Sequence, residues 1–423
     1  MHRPSHRSVA PGGGARRVRH APGGGAREGP HTGIGLSRDT RALAGAQLLW
    51  GIGFGLIAPI LALYLTELGA SATDIGLVIG GGNIVAALLV LPAGFAADRF
   101  GRRPILVASG VSGMLGVAAF IPLADWHLAI VGSILYWSAI AGLPIMSAHI
   151  AATEAKERLG RAMGTLFGSF FLGVIFASPL SGIIAARYGY RATFAAAVVL
   201  FAGSAALDLL ITQTRVIHSG PVRRWPGAFW ALLALTPFAA VIAVLPTPLL
   251  GVYLRDVAAV PLERIGLYVA LVSIGSAIFS AVAGRMTDRI GPAPAVVGAA
   301  VALTAGAAAL ALAARADYAV AAGALLIGAS QAANPVLAAT IERILPPSRI
   351  AVGYAAFQLA YTGGFGIGSI MAGSLYEANP RLPLLVTVAL ALPVAATVAV
   401  IVTRIRATVV SRPYYRRTDS ESH

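Results

Sequence analysis

The sequence predicts an all-α integral membrane protein, with twelve transmembrane helices in two six-helix, pseudo-symmetric bundles. Three observations lead there: an excess of apolar residues, a regular succession of span-length apolar runs, and an internal repeat. Of 423 residues, 57 % are hydrophobic and only 12 % are charged, against about 25 % charged in an ordinary soluble domain. So few charges cannot cover the surface of a soluble chain of this length. The composition excludes a soluble enzyme, a soluble nucleic-acid binder and a disordered protein, and points to lipid as the main solvent. Cysteine is absent, which removes disulfides and thiolate metal sites.

Residues 1–40 form a separate zone. The hexapeptide Pro-Gly-Gly-Gly-Ala-Arg occurs at 11–16 and again at 22–27. This stretch has too little apolar content to bury a core, so it is expected to be a disordered tail. Its basic residues suit an anionic lipid surface, and a dispensable leader is the alternative. No secretory signal is present in it.

From residue 41, apolar runs alternate with short polar loops. Spans are expected near 42–66, 74–97, 104–123, 127–152, 162–186 and 192–213, which make a first bundle over 41–213. A linker at 214–226 follows. Spans near 227–253, 262–286, 293–314, 318–344, 350–376 and 382–404 make a second bundle over 227–405, with a tail at 406–423. Each run is long enough to cross a hydrocarbon layer of about 30 Å. Backbone groups in lipid must bond within their own segment, so the runs are expected to be helices; the short alternating segments of a β-barrel are not seen.

Charge placement orients the chain. With the N-terminus in the cytoplasm, 26 of the 32 Lys and Arg residues fall on the inner side and 6 on the outer. Without the two tails the split is still 13 to 6. The positive-inside rule thus accounts for the net charge of +15 without a nucleic-acid partner. Both termini are expected in the cytoplasm.

The halves echo one another. Gly-Phe-Ala-Ala-Asp-Arg-Phe-Gly at 94–101 matches Gly-Arg-Met-Thr-Asp-Arg-Ile-Gly at 284–291, at an offset of 190. Gly173, Ser178 and Gly182 match Gly364, Ser369 and Gly373, and Ala-Ala-Thr recurs at 151–153 and 338–340. Three echoes near one offset indicate two related six-helix halves, a transporter architecture with its site between them.

The run Gly94-Phe-Ala-Ala-Asp98-Arg99-Phe-Gly101-Arg102-Arg103-Pro-Ile-Leu106 resembles the signature between the second and third helices of the major facilitator superfamily. The resemblance extends over about residues 41–405. It implies that Asp98 bonds the N-terminal end of the eleventh helix, and that Arg102 bridges Asp98 to Glu154 at the end of the fourth. That cluster would hold the cytoplasmic side closed. The second copy (Gly284, Asp288, Arg289, Gly291, with Glu342) is incomplete, because Pro292 and Ala293 stand where the arginines would be. The fifth helix, with Gly164, Gly168, Gly173, Ser178, Pro179 and Gly182, is similar to the family's antiporter motif, with serine in place of two glycines. The following Gly-Tyr-Arg-Ala-Thr-Phe at 189–194 resembles the turn into the sixth helix.

The middles of the spans carry almost no ionisable residue, which by default is where function would show. The family arrangement makes Gln47, Trp50, Asn83, Tyr136, Trp137, Gln331, Asn334, Gln358 and Tyr361 the candidates for a cavity. His149 and Asp208, near inner helix ends, are candidates for proton exchange. The arginine that drug/proton antiporters carry in the fourth helix is replaced by Ser138. The Gly-rich stretches at 80–82 and 363–368 have neither the preceding strand nor the Gly-Lys-Ser/Thr of a phosphate loop, and no catalytic set stands at a useful spacing. The expected protein is therefore not an enzyme and needs no cofactor or metal. It is expected to be a plasma-membrane secondary transporter that moves a small neutral or amphipathic molecule by alternating access, outward, with protons as the candidate coupling ion. An uncoupled facilitator or importer is the alternative. A non-transporting receptor is disfavoured by the short central linker.

Overall fold

The computed structural model describes residues 35–213, 225–345 and 350–410. Every regular element among them is helical. The first expected span is two helices, α1 (Arg38–Ile57) and α2 (Leu61–Glu67). Then come α3 (Ala72–Phe100) and α4 (Arg102–Phe120). The fourth span is divided into α5 (Ala129–Ser138) and α6 (Gly142–Thr153) by a 3₁₀ turn at Ala139–Ala141. The first half ends with α7 (Lys156–Tyr188) and α8 (Tyr190–Asp208).

The second half repeats this plan. Its first span is again two pieces, α9 (Gly227–Val244) and α10 (Leu250–Asp256). Next are α11 (Leu262–Arg289) and α12 (Pro292–Leu312). Its fourth span is again interrupted, α13 (Asp317–Ile327) and α14 (Ala333–Ile344) flanking a 3₁₀ segment at Gly328–Ala332. The chain closes with α15 (Ile350–Ala378) and α16 (Leu382–Val410). Eleven described segments are long and apolar enough to cross a bilayer. At 29 residues α15 also has the length, but its glycines, Gln358 and Thr362 dilute its apolarity.

The breaks follow proline. Pro59 separates α1 from α2, and Pro246 and Pro248 separate α9 from α10. Pro144 and Pro335 each remove the N–H that would serve a carbonyl in the preceding 3₁₀ turn, so that turn tightens. Gly101 and Gly291 form the hinges between α3 and α4 and between α11 and α12, at φ of 93° and 101°, a region that only glycine enters freely.

Two expected boundaries shift. The N-terminal zone does not reach residue 40: Ser37 accepts a hydrogen bond from the Thr40 N–H and caps α1, so Arg38–Thr40 are helical. Residues 1–34, including both hexapeptides, lie outside the described residues, as do 214–224 of the linker. At the other end α16 runs on to Val410, past the expected end at 405.

Packing repeats along with the elements. In the first half α1 packs on α7 and α8, α4 on α5 and α8, and α3 on α5. In the second, α9 packs on α15 and α16, α12 on α13 and α16, and α11 on α13. The glycine echo has a physical cause here. Gly173 lies against the backbone of Leu48 and Ile52 on α1, and Gly364 lies against that of Pro237 on α9. Lipid gives no hydrophobic drive between helices, so such close backbone contact carries the association. The Ala-Ala-Thr echo ends both fourth spans alike, Thr153 bonding the His149 carbonyl at 2.9 Å and Thr340 that of Val336 at 3.0 Å.

A Cβ at Gly51 on α1 would meet the Phe170 backbone, whereas one at Gly160 on α7 would meet nothing within 4 Å. Gly51→Ala is therefore expected to cost about 1–3 kcal/mol. Gly160→Ala should be neutral or slightly stabilising. Thermal unfolding of the detergent-purified protein checks this, and equal melting temperatures for the two variants would contradict it.

Candidate functional site

Since α1 starts at one end of the bundle and each span reverses direction, the chain's helical termini share one end, here the tail end. The starts of α3 and α11 and the finishes of α7 and α15 lie at the opposite, distal end. Four pairs of elements among the described residues join the halves: α3 with α15, α7 with α11 and α2 with α10, and, more sparsely, α6 with α15. At the distal end the first three are tight. A Cβ at Gly76 would lie 2.7 Å from the Ser369 carbonyl oxygen, and one at Gly373 would lie 2.5 Å from that of Ala72. Gly182 and Gly266 sit directly on the backbones of Leu262 and Ser178, and Gly251 meets the Pro59 carbonyl.

The same helix faces are open at the tail end. Gly94, Gly164 and Gly284 each lie eighteen residues from Gly76, Gly182 and Gly266, which at about 3.6 residues per turn is five turns along the same face. A Cβ at any of these three would meet nothing within 4 Å. At these positions the halves are in contact at the distal end and open toward the tail end, where α6 still approaches α15.

The expected latch residues sit at this open end, and their partners differ from expectation. Arg102 is buried, with Asp98 as its nearby charge, and its Nη1 has no hydrogen-bond partner. It does not bridge to Glu154. Glu154 turns to the start of α1 instead, where Oε1 accepts from the Ser37 N–H and from the Thr40 hydroxyl, both at 2.7 Å, while Arg158 Nε stands 3.6 Å from Oε2. Sequence reasoning missed this because Ser37 and Thr40 had been assigned to the tail. Arg99 is exposed above the Phe100 ring, Gly101 forms the hinge, and Arg103 is half-buried. In the second copy, Gly284, Asp288 and Arg289 are exposed and Gly291 forms the matching hinge. The side chain of Glu342 lies outside the described residues.

The two proton-exchange candidates occupy different settings. His149 is fully buried, and its Nε2 lies 2.8 Å from Asp39 Oδ2 on α1. The Thr212 N–H, past the end of α8, donates to the same oxygen at 3.1 Å. The cluster fastens the tail ends of α1, α6 and α8 together; Asp39 went unnoticed because it too had been counted in the tail. Asp208 is 1 % exposed, faces Gly110 of α4, and its Oδ1 has no hydrogen-bond partner.

The cavity candidates divide. Trp50, partly exposed, lies 4.3 Å from the Phe201 ring and against Gly113, and the buried Tyr136 is stacked beyond it. Asn83 is buried and donates to the Ile79 carbonyl of its own helix at 2.9 Å. Gln47 is buried on α1. Trp137 is half-buried, packed on Gly82, and its Nε1 has no hydrogen-bond partner. In the second half, Gln331 in the 3₁₀ segment and Asn334 on α14 are partly exposed, Gln358 donates to Thr362 at 2.9 Å, and the buried Tyr361 hydroxyl faces Asn334.

The sequence matches the family described as Major Facilitator Superfamily over residues 43–255 and 228–417, most of its length. The chain belongs to the Major Facilitator Superfamily. Among curated relatives, the multi-drug resistance efflux pump PmrA of Streptococcus pneumoniae serotype 4 is 26 % identical over 265 residues, which is 58 % of this chain and 66 % of that one. The multidrug resistance protein MdtG of Proteus mirabilis is 29 % identical over 271 residues, 58 % of this chain and 65 % of that one. The match thus spans about two thirds of the length of these relatives. Two solved structures share the fold. The nucleoside transporter NupG superposes with a TM-score of 0.67 at 13 % identity, over 89 % of this chain and 100 % of that one. A bacterial homolog of the human lysosomal transporter Spinster, described as inward-facing and occupied, gives 0.65 at 16 % identity, over 88 % and 95 %. As a superfamily member this chain is a multi-pass membrane transporter of drug-efflux-like sequence.

Glu154 lies just past the end of α6, outside the spans. Burial alone would raise its carboxyl; the hydrogen bonds from Thr40 and Ser37 outweigh burial and, with Arg158 alongside, hold it below the usual carboxylate range. A carboxyl lowered by folding adds stability that is present above its unfolded pKa and lost as pH falls through the folded one. The melting temperature is expected to fall between about pH 5 and pH 3, and Glu154→Gln is expected to flatten part of that slope. An identical slope in the variant would contradict this assignment.

Proposed function

We propose that this protein is a secondary active transporter that expels a small neutral or amphipathic molecule across the plasma membrane by alternating access. One observation carries the reading. Two cross-half helix pairs, α3 with α15 and α7 with α11, are sealed at the distal end and open at the tail-end glycines, and α3, α7 and α11 each hold a glycine on the same face at both ends. Rocking the halves would close the tail-end glycines as the distal ones part, so a site between the halves would open to each side in turn. The 26-to-6 distribution of Lys and Arg puts the tail end in the cytoplasm. The conformation described here is then open to the cytoplasm.

The substrate class follows from what the spans lack. A carboxylate or phosphate would call for a buried cation, and the candidate positions hold amide, hydroxyl and indole groups instead. Efflux is favoured by the relatives named as efflux pumps. A second reading, an uncoupled facilitator, is favoured by the placement of His149 and Asp208 at helix ends rather than mid-span. In this reading Asp98 engages the start of α15 only when the tail end closes, because a carboxylate is favoured at a helix N-terminus.

Cells lacking the protein are expected to retain more of a hydrophobic dye or drug from a broad panel. In inverted vesicles an imposed pH gradient is expected to drive uphill uptake of that compound. Uptake that only equilibrates would select the facilitator, and unchanged accumulation across the panel would overturn export. Asp98→Asn is expected to slow transport severalfold while leaving membrane insertion intact; normal transport by this variant would remove the latch.

A further inference from the structure

The antiparallel pairing of α3 and α15 has a geometric consequence at both ends. Each helix finishes beside the start of the other. Asp98 is in the last turn of α3, at the tail end, and Glu377 is in the last turn of α15, at the distal end. Glu377 is engaged here: its Oε2 accepts from the backbone N–H of Thr73, in the first turn of α3, at 3.0 Å. The surrounding caps leave that donor for it. Ser71 and Asp74 form a reciprocal capping box, with the Ser71 hydroxyl accepting from Asp74 N–H at 3.1 Å and Asp74 Oδ2 accepting from Ser71 N–H at 3.0 Å. The Thr73 N–H is one of the donors that a helix start leaves unserved, and its acceptor comes from the other half of the protein. At the tail end Asp98 accepts no hydrogen bond among the described residues; Arg102 is its near charge. A second cross-half charge contact lies at the distal end, where Arg255 of α10 approaches Glu67 of α2 and Tyr190 of α8.

We propose that Glu377 is a gate-positioning residue for transport: by completing the cap of α3 across the two halves it holds the distal end closed, as the counterpart of Asp98 at the other end of the same helix pair. This deepens the alternating-access reading and rests on it. Each carboxylate bonds the facing helix start only when its own end is closed, so the two contacts exclude one another. The helix dipole favours both, and a severalfold bias between conformations suffices to redistribute a near-balanced equilibrium.

The absence of cysteine from the chain makes the test clean. Two single-cysteine reporters are placed in the full-length protein in nanodiscs and labelled with a small maleimide. Ser369→Cys reports the distal seal, where Ser369 is buried and lies against Gly76; Phe167→Cys reports the open tail end, where Phe167 is exposed. Glu377→Ala is expected to raise the labelling rate at position 369 about three- to tenfold and to lower that at 167. Glu377→Gln, which keeps a neutral acceptor, should fall between. Thr73→Pro removes the donor, so its effect and that of Glu377→Ala should not add. General loosening would raise both reporters and overturn the proposal, as would wild-type rates in Glu377→Ala. Gly366→Leu is the control, because a large side chain there must push α3 from α15: a Cβ alone would lie 2.7 Å from the Gly80 carbonyl oxygen. If Gly366→Leu moves the reporters in opposite directions and Glu377→Ala does not, Glu377 has no such role and two-ended gating stands. If neither variant moves them oppositely, two-ended gating itself fails.

Discussion

The structure depends on backbone-to-backbone contact between helices from different halves, which glycine permits and which is made here at the distal end. Helices are stiff, and a pair such as α3 and α15 in contact near Gly76 and Gly373 diverges toward Gly94. The pair α7 and α11 behaves likewise, in contact near Gly182 and Gly266 and open at Gly164 and Gly284, so the gap is shared by two pairs rather than local to one loop. The halves are separately consolidated by their own glycine contacts, Gly51 and Gly173 in the first and Gly364 and Gly368 in the second. That difference between a fixed interface within each half and a one-ended interface between halves is what a rocking motion requires.

Most of the fold was legible because lipid imposes a simple rule on sequence. Apolar runs of span length, separated by short charged loops, located every span to within about six residues, and the offset near 190 accompanies the repeated packing. Proline was the underused signal. Pro144 and Pro335, and Pro59 with Pro248, stand at matching places in the two halves, and they mark the breaks in the first and fourth spans that a hydropathy reading runs straight through.

The site was less legible, because partners are set by three-dimensional approach and not by spacing. Glu154 was recognised as a charged group at a helix end, but its acceptor role toward Ser37 and Thr40 follows from where α1 begins, three residues before the tail was thought to stop. Asp39 was hidden in the same way, and with it the buried pair with His149. Trp50 and Tyr136 have the composition of a ligand platform, but their ring contacts with Phe201 and the fit of Trp50 on Gly113 depend on three helices meeting and leave no spacing signal. Glu377 left no local signal: its meaning appears only when α15 is laid beside α3.

A single measurement bears most directly on two-ended gating. Spin labels at positions 160 and 290 would report the tail-end distance between α7 and α11, and labels at 188 and 263 the distal one, in the same cysteine-free chain. The account predicts two populations in each pair, with the long tail-end distance accompanying the short distal one, and their weights shifting in opposite senses when a transported compound is added. One fixed distance at either end, or both ends lengthening together, would contradict it.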